Sequence, residues 1–172
     1  MSSISWMFFD AVRGKKPSAM GFCIGAVVGL VAITPGAGFV TIPHALFIGV
    51  VASVISNVIA HWRTSTSLDD TLDVFPCHGV GGMVGMLMTG IFATGAVNSV
   101  VNKAVSPKYN PLPAAPSIVT KHLIALVLVS GFAFGVSFAL LKVTDLIMPL
   151  RATAEDELEG LDKSQHDESL VF

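Results

Sequence analysis

Three acids and one histidine gather at the mouth of an apolar stretch. Asp69, Asp70, Asp73 and His78 fall in D-D-T-L-D-V-F-P-C-H-G-V-G-G (69–82), and the chain then stays apolar and glycine-rich to Phe92. Ionisable groups at the edge of a membrane span are expensive, so they read as part of a substrate or ion pathway. Imidazole suits such a place, since it can stay neutral while offering one donor and one acceptor, and it titrates near physiological pH. Val74 lies four residues before His78, so on a helix it shares the histidine's face and sets an apolar wall beside the ring. Asp73 is placed to cap that helix, with Pro76 in its first turn and the carboxylate favoured by the dipole. Asp70 offers the same service one turn earlier, in which case Pro76 kinks the helix. Both acids are therefore expected to be structural. Counting from a cap at Asp73 puts His78 nearer the end of its span than the middle.

The elements that must hold these groups are membrane spans. Of 172 residues, 52% are hydrophobic and only 13% charged, which with several runs near 20 apolar residues argues for a polytopic, all-α transmembrane bundle over a soluble helical domain. Four spans are expected, at about 19–35, 42–62, 74–97 and 118–150, leaving 1–150 as the transmembrane part and 151–172 as a polar tail. The segment 4–12 is too short to cross and reads as the end of a helix. It lacks the basic start of a secretory signal, since Arg13, Lys15 and Lys16 follow the apolar part. Arg13, Lys15, Lys16, Arg63, Arg151 and Lys163 fall on one side, and Lys103, Lys108 and Lys121 on the other. The bias makes both ends of the chain, including the C-terminus, cytoplasmic.

Glycines four apart, Gly21/Gly25/Gly29, Gly81/Gly85 and Gly131/Gly135, predict faces where helices approach closely. Cys23 and Cys77 read as small buried hydrophobes, not as a disulfide or a metal pair. An intramembrane enzyme using Cys77 and His78 fails on geometry, because neighbours on a helix point about 100° apart. His44, His61 and His122 sit near span ends, natural interfacial positions. No cofactor, metal site or nucleic-acid partner is indicated.

The motif D-x-x-D-V-F-x-x-H-G-x-G-G (70–82), followed by M-T-G-I-F-A (88–93), resembles the second histidine helix of the ammonium transporter family (Amt/Mep/Rh). R-G-K-K-P-S (13–18) and G-A-V-V-G-L-V-A-I-T-P-G-A-G (25–38) resemble that family's eighth helix, 42–62 its ninth and 118–150 its long eleventh. The resemblance implies an integral protein of the cell membrane that moves ammonium or ammonia, with His78 at mid-pore and Thr34 near the pore. Capping or satisfying backbone at a helix end is an equal alternative for Thr34. Ammonium must shed water to enter a narrow apolar pore, and a histidine there can accept its hydrogen bond or carry its proton.

The tail L-R-A-T-A-E-D-E-L-E-G-L-D-K-S-Q-H-D-E (150–168) resembles the family's cytoplasmic regulatory tail, which implies a homotrimer contacting through it and a possible cytoplasmic regulatory protein as partner. The family's glycine after the tail histidine is Asp167 here. Ser164 stands where some members carry a phosphorylatable hydroxyl, and added charge beside acids would undock the tail. The resemblance also implies that this chain is the C-terminal part of such a transporter. The partner histidine, the phenylalanine gate and the aromatic recruitment site then belong to helices outside it, and the pore is incomplete. The alternative is a non-conducting subunit that joins full-length transporters or a nitrogen-regulatory partner.

Overall fold

The computed structural model describes residues 1–105 and 117–168. Among them all regular structure is helical: α1 Ser2–Val12, α2 Ala19–Ile33 with a 3-10 turn Thr34–Gly36, α3 Ile42–Arg63, a π-helical turn Phe75–Val80 running into α4 Gly81–Phe92, α5 Val100–Val105, α6 Ile118–Ile147, α7 Ala154–Glu159 and α8 Leu161–His166. Four stretches, Ala19–Gly36, Ile42–Arg63, Phe75–Phe92 and Ile118–Ile147, are long and apolar enough to cross a membrane. The third ends five residues before its expected limit, because the N–H of Thr94 leaves the helix for the Phe39 carbonyl (3.0 Å). The fourth stops at Ile147, just before Met148, whose helical conformation Pro149 disfavours. Lys108 lies outside the described residues.

The described residues group into two compact units, Met1–Val127 and Leu128–Phe172. In the first, the core runs through Trp6, Val28, Ala32, Ile48, Ala52, Cys77 and Val84. The glycine stripe of α2 seats α1. A Cβ on Gly25 would stand 2.7 Å from Ser3 Cα, and one on Gly29 2.7 Å from Ser2 Cβ. Gly85 lets α4 lie directly on the α2 backbone at Ala32. Polar links tie the α1–α3 end together: Asn57 Nδ2 donates to Asp10 Oδ1 (2.9 Å), and Arg13 Nη1 donates to Asn57 Oδ1 (3.1 Å). Cys23 corrects the sequence reading. It is exposed because it stands two residues, about 200°, from Gly21 and Gly25 on the opposite face of α2.

The second unit holds the rest of α6 and the tail. Among the described residues nothing lies within 4 Å of where a Cβ on Gly131 or Gly135 would stand, and no α6 side chain is buried. In the tail, Thr153 and Asp156 form a reciprocal capping box at the start of α7. Glu155, Asp156 and Glu157 form the first turn of this capped helix, with Arg151 Nε paired to Glu157 Oε1 at 3.1 Å. Ser164 Oγ donates to the Asp156 carbonyl (3.3 Å). Asp167 ends α8 in the left-handed region, φ 53°, a conformation glycine adopts freely and aspartate tolerates.

Candidate functional site: the histidine turn

The connection after α3 is closed by two carboxylates with different tasks. Asp70 Oδ1 and Oδ2 accept from the backbone N–H groups of Val74 (2.8 Å) and Phe75 (2.9 Å), so Asp70 caps the helix that carries His78. Asp73, expected to cap, instead turns its side chain to Arg63. Nε and Nη2 of Arg63 both reach Asp73 Oδ1 at 2.9 Å. Asp73 keeps the cap position through its backbone alone, its carbonyl accepting from Cys77 N–H (3.0 Å). Its φ of 51° is left-handed, which swings the side chain away from the helix start and leaves the capping N–H groups to Asp70. Asp70→Ala is expected to cost about 1–2 kcal/mol, read as a lowered unfolding midpoint in detergent, with Asp69→Ala, exposed and outside the cap, changing it little.

The turn itself splits its faces sharply. Pro76 and Cys77 are buried, whereas Val74, Phe75 and His78 are exposed. In an unbroken α-helix His78 would fall three and seven residues before Gly81 and Gly85, on the same packed stripe. Both glycines are buried and His78 is not. The π-helical turn accounts for this, since a turn closed by i→i+5 bonds takes one residue more and shifts the phase by about 100°. The Phe75 ring covers Gly79, where a Cβ would stand 2.9 Å from Phe75 Cδ2.

The depth of His78 also follows from packing. A Cβ on Gly81 would stand 3.7 Å from each of Val28, Val31 and Ser56, and Val28 is at the middle of the Ala19–Gly36 span. His78 precedes that level by three residues, about 4–5 Å. Counting from the cap suggested a shallower place, but the neighbouring span is short, 18 residues or about 27 Å, so five residues into the turn already approach its middle.

Thr34 is not brought to the histidine. Its hydroxyl donates to the Leu30 carbonyl (2.7 Å), and it lies close to the level of Thr89, which a Cβ on Gly36 would meet at 3.0 Å. Thr89 is eleven residues beyond His78, about 16 Å along the axis. Cys77 is 3% exposed and faces the core, so it forms no nucleophile–base pair with the outward imidazole. His44 hydrogen-bonds Thr41 Oγ1 (3.0 Å) and stacks on Phe92, and His122 Nδ1 bonds the Ile118 carbonyl (2.9 Å). No group of three metal-ligating side chains occurs among the described residues.

The Ammonium Transporter Family model matches residues 1–171. The chain belongs to the ammonium transporter family. It is 36% identical over 168 residues to the ammonium transporter of Bacillus subtilis, and 36% over 163 residues to the ammonium transporter Amt1 of Archaeoglobus fulgidus, in each case covering 95% of this chain and 39% of the relative. The crystal structure of Saccharomyces cerevisiae Mep2 superposes with a TM-score of 0.73 and 34% identity, covering 90% of this chain and 35% of that one. These ammonium-transporter relatives are named as transporters, not enzymes, and this chain spans about two fifths of the length of the curated ones. Sequence reasoning missed Arg63 and the π-helical turn. Pro76, which lacks an N–H at the start of the helix, is the one signal that pointed to an irregular turn there.

Proposed function

We propose that this chain forms one wall of an ammonium or ammonia path, with His78 as its polar group and Val74 as the apolar surface beside it. The observation that carries the reading is the outward imidazole near mid-span, on a turn whose other face is anchored in the core by Pro76 and Cys77. An exposed ionisable group at that depth is costly in lipid unless it lines a polar path. Thr34, at the other end of α2, borders the same path further along, while Asp70 as the helix cap and Asp73 as the partner of Arg63 are structural. The basic residues around α1, the α3 end and the tail support a cytoplasmic C-terminus. There the capped α7 and the following α8 would contact a neighbouring copy in a homotrimer and meet a regulatory protein.

The imidazole face is open within this chain, so conduction requires further wall. The test is ammonium-dependent growth in a host lacking its own ammonium transporters, with the chain expressed alone and fused to the N-terminal half of a family member. Rescue by the fusion is the expected result. Rescue by the chain alone would overturn the need for a second wall. A fusion that reaches the membrane without rescuing growth would favour the non-conducting subunit.

A further inference from the structure

We infer that Arg63 is the positioning residue that sets the direction of His78, an inference resting on the reading of His78 as a pathway group. Arg63 is the last residue of α3. It acts on Asp73, the residue immediately before the histidine helix, with two nitrogens converging on one carboxylate oxygen at 2.9 Å. The two side chains are only 18% and 22% exposed, so water screens this pair less than a surface pair, and the hydrogen bonds are charge-assisted.

Asp73 needs such a hold. Its backbone is left-handed at φ 51°, a region non-glycine residues enter at a cost and keep only where surrounding contacts enforce it. The conformation points the carboxylate to Arg63 and leaves the Asp73 carbonyl aimed along the helix, where Cys77 N–H meets it. The π-helical turn begins two residues later. Because phase is inherited residue by residue along a helix, the geometry of Asp73 decides which way His78 faces. Asp70 clasps the Asp73 backbone from both sides, its carbonyl accepting from Asp73 N–H (3.1 Å) and its carboxylate from Val74 N–H (2.8 Å), and Arg63 adds the hold on the Asp73 side chain that this cap does not supply. A cavity of about 230 Å³ borders Asp73 together with Lys15 and His61. Asp73 released from Arg63 can be hydrated from there, so loss of the pair loosens the turn without unfolding the bundle.

Cys77 reports the turn without reference to transport. It is 3% exposed, and Ala52, in the same core, is 0% exposed. In full-length Cys23→Ala protein in membranes, carrying Ala52→Cys as an internal control, N-ethylmaleimide labelling of each thiol is resolved by peptide mass. Arg63→Gln is expected to raise labelling of Cys77 about tenfold by local opening while the thiol at 52 stays protected, and Arg63→Lys is expected to retain most of the protection. The fused transporter should lose ammonium uptake with Arg63→Gln and recover part of it with Arg63→Lys. Unchanged protection of Cys77 in Arg63→Gln would overturn the inference, as would labelling of both thiols, which signals general unfolding. If Cys77 opens locally but His78→Ala leaves uptake of the fusion unchanged, the pathway reading fails and the clamp itself stands.

Discussion

Gly85→Ala is expected to be among the most damaging single-methyl changes in the bundle. The added Cβ falls on the carbonyl of Ala32, so the obstacle is helix backbone on both sides. A side chain could rotate away, but a backbone carbonyl inside α2 cannot. The helices must separate, and Val28, Ala32 and Val84, all buried here, lose contact together. Overpacking of this kind costs about 2–3 kcal/mol, and close backbone approach is what holds helices together in lipid, where apolar burial gives little drive. Gly82→Ala is the matched control, because its methyl would meet only Val31 at 3.8 Å. Unfolding midpoints in a detergent titration should fall clearly for Gly85→Ala and hold for Gly82→Ala. Equal midpoints would mean that α4 can slide on α2.

The second large effect concerns transport and not stability. His78→Ala in the fused transporter is expected to lower ammonium uptake roughly tenfold to a hundredfold. A hydrogen bond to a charged partner contributes about 1.5–3 kcal/mol, and each 1.4 kcal/mol is a factor of about ten in rate. The same variant should accumulate normally, because the imidazole is exposed and has no hydrogen-bond partner among the described residues. His44→Ala should behave oppositely. It removes a stack on Phe92 at 4.5 Å and a bond to Thr41, so it should lower the unfolding midpoint and leave uptake per molecule unchanged. Uptake unaffected by His78→Ala, or lost equally in both variants, would count against a special role for the histidine.

The four long helices were legible because their cause is local: a run of apolar residues either spans about 30 Å or it does not. Glycine spacing was also legible as packing, but not what it packs. Nothing in Gly21-x-x-x-Gly25-x-x-x-Gly29 says that the partner is α1, and Gly131 and Gly135 carry the same spacing over open space. At the site, the acids near the histidine could be identified but not their division of labour. Asp70 and Asp73 both have cap-compatible spacing, and the choice turns on one backbone angle at Asp73 that residue type leaves open. Arg63 was read as a topology charge because its partner lies across a ten-residue separation. His78 was read as a pathway group from its residue type and motif, whereas a strict helical count would have placed it with Gly81 and Gly85.

That count has a consequence for how this segment tolerates change. The direction of the imidazole depends on how many residues lie between the Arg63 anchor and the Gly85 seat, and only secondarily on which residues they are. Removing one residue of the turn other than His78, from 75–77 or 79–80, would let the π-helical turn relax into an ordinary one and rotate the ring toward Val28 and Ser56, with every remaining side chain unaltered. Length, in this stretch, is itself a functional residue.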